Sequence, residues 1–309
     1  MAAQYLARAM EVCKLAGIDI GSNSVRLLVS NVIEDGENVL FKKSSLVRLP
    51  IRLGEDAFSK GEISERNIER LEWAMEAFDR VMKVNGVESF RACATSALRE
   101  SKNRDEIVKR IKKNANITIE PIEGAEEARL IFSTDVLDQF KTEEDAFLYM
   151  DVGGGSTEFT LLNGTEVLKS KSFNIGTIRV MKGIDKKSEW KEMRSWLKSA
   201  TKGIDDLAMI GSGGNINRLY KMSGKPNGVP VSLDYLEGQY VFLKRFTTEE
   251  LIKRLDLNID RADVIVPATK IYISAMGWAG CEKMFVPKVG LSDGIVRDLY
   301  FQRKASISQ

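Results

Sequence analysis

Asp151-Val152-Gly153-Gly154-Gly155-Ser156-Thr157-Glu158-Phe159 is the stretch on which the reading of this chain turns. Residues 146–150 before it are apolar and residues 159–162 turn apolar again, so the order is strand, glycine turn, strand. Three glycines in a row strip the turn of Cβ atoms and let backbone N–H groups close on an anion, while Ser156 and Thr157 add hydroxyl donors. Phosphate suits such a cradle. Asp151, at the end of the incoming strand, would repel it unless a divalent cation sat between them, so the same stretch predicts Mg2+, with Mn2+ as the alternative. A glycine run serving only as a flexible turn is the competing reading, and this stretch alone leaves both open.

A second copy shifts that balance. Ala16-Gly17-Ile18-Asp19-Ile20-Gly21-Ser22-Asn23-Ser24-Val25-Arg26-Leu27 aligns with it without gaps, Asp19 on Asp151, Gly21 on Gly153 and Ser24 on Ser156. A repeat at this spacing means two similar domains, because solenoid periods are far shorter. The expected architecture is α/β, with two phosphate-binding hairpins facing each other across a cleft. Residues 1–124 plus 297–309 are expected to form one domain and residues 125–296 the other, with joints near Gly124 and Gly290 that suit hinge closure.

Composition narrows the chemistry. The 309 residues carry 46 basic and 44 acidic side chains, a net charge of +2, so nothing global attracts nucleic acid or an anionic membrane. There is no histidine, which excludes Ser-His-Asp and Cys-His mechanisms, histidine metal ligands and a phosphohistidine intermediate. A general base must then be a carboxylate or, less commonly, a lysine. Cys13, Cys93 and Cys281 are odd in number and far apart, which points to reduced thiols and a cytoplasmic setting. No apolar run approaches bilayer length, and residues 1–14 fall short of a signal peptide and read as a frayed or helical extension. A homodimer is left open.

Along the chain, residues 14–20, 25–33 and 38–49 read as a meander of three strands turning at Asp35-Gly36. Residues 64–84 read as a helix with Ile68, Leu71, Met75, Phe78 and Met82 on one face. Arg99 follows a strand at residues 87–94; it can point into a cleft, but from this stretch alone an ordinary surface arginine is the commoner outcome. In Glu123-Gly124-Ala125-Glu126-Glu127-Ala128-Arg129, the apolar stripe of Ala128, Ile131, Phe132 and Val136 leaves Glu126 solvated and sets Glu127 at the edge of a buried face. There a carboxylate can serve water as a general base, although a solvated Glu-Glu-Ala-Arg face is the commoner use of such a pattern. Gly213 and Gly214 open a helix whose free N–H groups favour an anion or the polar edge of a nucleotide, without a Walker or dinucleotide pattern. Residues 231–243 and 247–255 read as helices, residues 263–279 as a helix interrupted by Pro267, and Ser292 or Asp293 as the cap of a last helix returning to the first domain.

Taken together, Ile-Asp-Ile-Gly-Ser-Asn-Ser-Val-Arg-Leu (18–27), Ala-Thr-Ser-Ala-Leu-Arg (94–99), Gly-Ala-Glu-Glu-Ala-Arg-Leu-Ile-Phe (124–132), Asp-Val-Gly-Gly-Gly-Ser-Thr-Glu (151–158), Gly-Ser-Gly-Gly-Asn-Ile (211–216) and Leu-Ser-Asp-Gly-Ile-Val-Arg (291–297) resemble, in order, the exopolyphosphatase and guanosine pentaphosphate phosphatase (Ppx/GppA) family. The resemblance runs from residue 14 onward. It implies two ribonuclease-H-like domains of the actin, sugar-kinase and Hsp70 ATPase superfamily flanking a central cleft. It implies Glu127 as the catalytic glutamate and Asp151 and Glu158 as Mg2+ ligands, with Asp19, the counterpart of Asp151, beside them. Ser22, Asn23, Ser24, Arg26, Arg99, Gly153, Gly154, Gly155 and Ser156 are implied as phosphate contacts; Gly21, Thr157, Gly213 and Gly214 join them as candidates. The implied substrate is inorganic polyphosphate or guanosine pentaphosphate. Long members carry helical C-terminal domains, including an HD-type region; this sequence shows no counterpart, so short chains are the expectation. An ATP-dependent kinase of the same superfamily and a non-catalytic nucleotide or alarmone sensor are the alternatives.

Overall fold

A computed structural model describes residues 11–36, 38–134, 140, 146–164 and 166–307. The first half runs β1 (Glu11–Ile20), β2 (Val25–Asp35), β3 (Asn38–Leu49), α1 (Leu53–Lys60), α2 (Glu65–Asn85), β4 (Ser89–Ala94), α3 (Ser96–Arg99), α4 (Arg104–Ala115) and β5 (Ile119–Pro121). The seam helix α5 (Gly124–Phe132) follows, then β6 (Ala146–Val152), β7 (Thr157–Asn163), β8 (Glu166–Phe173), α6 (Thr177–Met181), α7 (Lys187–Ala200), β9 (Ala208–Ser212) and α8 (Gly214–Met222). The chain ends with β10 (Val231–Ser232), α9 (Leu233–Leu243), α10 (Thr248–Leu255), α11 (Ile259–Ala262), α12 (Ile265–Ala279), β11 (Lys283–Phe285) and α13 (Leu291–Ile307).

The five strands of the first sheet lie in the order β3-β2-β1-β4-β5, and the second sheet repeats it as β8-β7-β6-β9-β11 with β10 added at the far edge. In each, a three-stranded antiparallel meander joins a parallel part through its first strand, β1 on β4 and β6 on β9. This is the duplication that the repeat at residues 19 and 151 predicts, in the ribonuclease-H-like form that the family resemblance implies. The duplication reaches single pairs: Asp19 stands opposite Arg26, and Asp151 opposite Glu158.

Four cores hold the described residues, the smallest joining Leu15, Leu28 and Val32 of the first sheet to Val296 and Tyr300 of α13. Ile68, Leu71, Met75, Phe78 and Met82 of α2 all bury against the first sheet, so the helical period in the sequence is the packing face. A second core forms beneath α7, α9 and α12, around Phe159, Leu197, Ile265 and Tyr272. The third lies between the halves, where Leu130 and Ile131 of α5 and Leu291 and Ile295 of α13 meet Cys93, Phe147, Tyr149 and Ile210. Burying each such side chain contributes roughly 1.5–3 kcal/mol, so the seam that carries α5 is a packed core and not a loose linker.

The structure corrects several local expectations. Glu11–Lys14 begin β1, paired with Asn31–Glu34, and are not an extension; residues 1–10 lie outside the described residues. Val231 and Ser232 pair with β11 as a short strand, and Ser232 then caps α9 by accepting from the Tyr235 N–H at 3.2 Å. Pro267 does not interrupt α12: it is the third residue, where no intrahelical donor is required, and the first bond closes from Ala268 N to Val264 O at 2.9 Å. Gly290 occupies the cap position of α13, its N–H donating to Asp293 Oδ2 at 3.0 Å, so Asp293 acts from inside the helix. Val136 lies outside the described residues. Among the described residues no helix is long and apolar enough to cross a membrane.

Candidate active site

Both glycine turns close in the same way. Gly21 N–H donates to Ser24 O at 3.1 Å, and Gly153 N–H to Ser156 O at 2.9 Å. Their tips touch: a Cβ on Gly154 would stand 2.8 Å from Ser22 Cβ, so only glycine lets the hairpins approach this closely. Behind them Gly155 lies against the Phe58 ring, over which the Arg179 guanidinium sits 4.3 Å from the centroid.

The meeting point is a cavity of about 110 Å³. The first half supplies Asp19, Gly21, Ser22, Asn23, Ser24, Arg26, Arg48 and Thr95; the second supplies Asp151, Val152, Gly153, Gly154, Thr177, Ser212, Gly213, Gly214, Asn215 and Arg261. Glu127, Ile131, Gly290 and Leu291 line it from the seam. Glu127 is only 8% exposed, whereas Glu126 is half-buried and held by Arg129 at 2.7 and 2.8 Å, ion-paired instead of freely solvated.

Five candidates stand back from the lining. Gly155 is covered by Phe58, and Ser156 is buried in the turn. Thr157 Oγ1 donates to the Ile175 carbonyl at 2.5 Å. Arg99 Nη1 donates to the Ile122 carbonyl at 2.7 Å, with Nε 3.6 Å from Glu123. Glu158 lies beneath α5, where a Cβ on Gly124 would meet its Cγ at 2.9 Å, and accepts from Ser172 Oγ at 3.1 Å. Arg48 and Arg261, which the sequence reading does not single out, do line the cavity. Arg48 pairs with Asp260, and Arg261 Nη1 donates to the Gly214 carbonyl.

Burial and mutual repulsion dominate the electrostatics. Burial, with the charges of Asp151, Glu158 and Asp19, holds the Glu127 carboxyl well above the ordinary carboxylate range, and Arg99 opposes this. Burial raises Asp19, with Asp151 adding and Arg26, at 3.3 Å, opposing. It raises Asp151 against a hydrogen bond from Ser212 and the charge of Arg26. Glu158 is pushed up to about 7 by burial and then by Asp151. Such crowding of buried carboxylates is what a bound cation relieves.

Among the described residues no three acids or thiols converge as a ready-made metal cage. The donors fit a hard cation of the Mg2+ kind, which commonly takes one or two carboxylates and completes its shell with water and substrate phosphate oxygens. Asp19 and Asp151, one from each half, are the carboxylates that line the cavity beside Glu127; Glu158 belongs behind them.

A stability consequence follows from Glu158. Its folded state holds the proton more tightly than the unfolded chain does, so the stability that Glu158 contributes is fully present below about pH 4.5 and is lost as pH rises through about 7. The loss is worth about 3 kcal/mol at most. In chelator, thermal melts from pH 4.5 to 8 are expected to show a falling Tm, and Glu158→Gln should flatten the fall and raise Tm at pH 8. An unchanged slope in that variant would remove Glu158 as its source.

The family model described as the Ppx/GppA phosphatase family matches residues 32–302. A bifunctional 3-dehydroquinate synthase/phosphatase of Fusobacterium nucleatum is 29% identical over 300 residues, covering 88% of this chain and 44% of that protein, so the chain spans less than half of it. Exopolyphosphatase 1 of Mycobacterium leprae is 23% identical over 310 residues, covering 92% of this chain and 88% of that one. The crystal structure of an exopolyphosphatase from Cytophaga hutchinsonii superposes with a TM-score of 0.79 at 26% identity, covering 94% of this chain and 98% of its own. The chain belongs to the Ppx/GppA phosphatase family and is a phosphoanhydride hydrolase.

Proposed function

We propose that the chain releases the terminal phosphate from short inorganic polyphosphate or guanosine pentaphosphate by attack of a water that Glu127 activates. The observation that carries this is Glu127, a buried carboxylate on the seam helix, lining a small cavity between two glycine turns. Glu127 accepts a proton from water, the water oxygen bonds to the terminal phosphorus, and the bridging P–O bond breaks to leave the shortened chain. Backbone N–H groups of residues 22–24 and of Gly154 hold the terminal phosphate, those of Gly21 and Gly153 being used within the turns, and Arg26 neutralises charge that grows on the departing oxygen. Arg99, tied to the Ile122 carbonyl, acts on Glu127 through its charge. Asp19 and Asp151 would hold a bound Mg2+, whose charge would neutralise that of the phosphates. Phosphoryl transfer rests largely on such positioning and electrostatics, so few side chains suffice.

In this proposal residues 1–124 with 297–309 and residues 125–296 act as two jaws, a few phosphates fill the space between them, and the protein works in the cytoplasm. Two of its three free cysteines are buried, which suits a reducing compartment. Steady-state phosphate release from oligophosphates of defined length and from guanosine pentaphosphate, with Mg2+ and no acceptor, tests the reading. Release that stops on chelation is the expected result. Acceptor-dependent ADP formation from ATP would instead mark a kinase, and tight binding with no turnover a sensor.

A further inference from the structure

Glu127 lines the cavity from one side of α5, and the other side of that helix is held by ions. At about 100° per residue, Arg129 lies about 160° around the helix from Glu127 and about 60° from Glu126, so Arg129 and Glu126 share the side turned away from the cavity. Asp298 of α13 is the hub there. It is buried, and its two oxygens take different arginines: Oδ1 accepts from Arg129 Nη1 at 3.0 Å and Oδ2 from Arg91 Nη1 at 3.1 Å. Gln302, one turn on in α13, donates to Oδ2 at 2.7 Å. Arg91 of β4 also donates to Glu120 of β5 at 2.9 Å and stands 3.6 Å from Glu126. Elements β4, β5 and α13 are thus tied to α5 at one point, behind the carboxylate that faces the cavity.

Apolar packing sets where α5 lies but says little about how it is rolled. Leu130 and Ile131 bury against the seam, and Gly294 lets α13 come close to the Leu130 carbonyl, yet hydrophobic contact is non-directional and α5 has only nine residues. Charged hydrogen bonds to fixed partners do have a direction. The tolerance is small. A helix with its side chains is roughly 10–12 Å across, so a roll of about 10° moves a side-chain tip by about 1 Å, and about 1 Å at a reacting group is enough for about a 10²-fold loss of rate. Within the network the side chains of Arg91 and Asp298 are 16% and 9% exposed and that of Arg129 is 52% exposed, so the Arg91–Asp298 pair is the anchor and Arg129 the arm that carries it to α5.

We infer that Asp298 is a positioning residue for the reaction: through Arg129, and braced by Arg91, it sets the roll of α5 and so the place of the Glu127 carboxylate. This rests on the hydrolase reading above, in which Glu127 takes the proton of the attacking water. Asparagine at this position keeps the shape and removes the charge, and Arg91 stays paired with Glu120 at 2.9 Å, so the change leaves no buried cation without a partner.

The test uses the full-length chain as wild type, Asp298→Asn, Arg129→Gln, Glu127→Gln and the double variant Asp298→Asn with Glu127→Gln. Steady-state kcat and KM for tripolyphosphate with Mg2+ are read alongside amide hydrogen exchange over residues 124–132. Asp298→Asn is expected to lose about ten- to a hundredfold in kcat with KM within about twofold, and exchange across α5 should quicken about tenfold. On the Glu127→Gln background the same substitution should cost nothing more, because a residue that acts by placing the base has no effect once the base is gone. Arg129→Gln, at the half-exposed arm, should show part of the same kcat loss and decides the matter if Asp298→Asn melts early. An equal proportional loss of kcat with and without Glu127 would reduce Asp298 to a support of the fold. A parental kcat, or unchanged exchange in α5, would likewise overturn the inference. If the wild type releases no phosphate, or Glu127→Gln keeps the parental rate, the hydrolase reading fails, and the exchange comparison alone still decides whether Asp298 holds α5.

Discussion

Glu127→Gln is expected to bind oligophosphate about as well as the parent and to lose about 10²–10⁴-fold in turnover, the usual worth of a general base. Glutamine keeps the volume and one acceptor oxygen, so the tightly packed seam around Leu130 and Ile131 is left undisturbed. What it cannot do is take the proton of the attacking water. The parent also carries a pH signature that the variant lacks. Burial first, and then the charges of Asp151, Glu158 and Asp19, hold the Glu127 proton on well above the ordinary carboxylate range, and the base works only when that proton is off. Parent kcat/KM should therefore climb with pH through a midpoint well above that of a solvent-exposed glutamate, and the residual rate of Glu127→Gln should lack that limb. A variant that releases phosphate at the parental rate would remove Glu127 from the chemistry.

The placement of Glu127 at the edge of the buried face was legible in the sequence. Helical period alone separates it from its neighbour, because Ala128 and Ile131 fix the buried side of α5 and Glu127 lies at that side's edge. The two hairpins were legible for a similar reason: an acid followed two residues later by glycine, repeated in frame, carries the same turn geometry twice. Arg48 was not legible. Counted back from the Asp35-Gly36 turn, Arg26 faces Val47, but the register shifts between Val29 and Ser30 and brings Arg48 opposite Arg26 instead. One slipped residue exchanges the two faces of a strand, and no local pattern in residues 25–49 announces it.

Arg261 failed for a different reason. It sits on a four-residue helix with no period to read, and its place over Gly214 depends on how Asp260 and Asp263 meet Arg48 and Arg52 of the other half. Glu158 marks a limit of the repeat itself. Its counterpart, Arg26, faces Asp19 with opposite charge, whereas Glu158 faces Asp151 with like charge, and α5 closes over it. Alignment carries position between copies, but not what packs above.

Gly294→Ala is expected to cost both stability and rate although the residue does not itself line the cavity. Gly294 lies in the first turn of α13, against the backbone of α5: a Cβ there would fall deep inside contact distance of the Leu130 carbonyl and 3.0 Å from Ile131 N. The obstacle is main chain within a helix, so no side chain can rotate away and one helix must move. Overpacking of this kind typically destabilises by about 1–3 kcal/mol, and here it acts on the core shared by both halves. Leu130 is one helical turn from Glu127, so a shift of α5 carries the carboxylate with it. A displacement on the order of 1 Å at a reacting group is enough for about a 10²-fold loss of rate. Melting curves and oligophosphate turnover measured on the same preparation check both effects. A lowered Tm with undiminished kcat would mean that α13 alone yields and that the position of Glu127 does not depend on this crossing. A parental Tm would mean that the close approach of α13 to α5 contributes nothing to holding the seam.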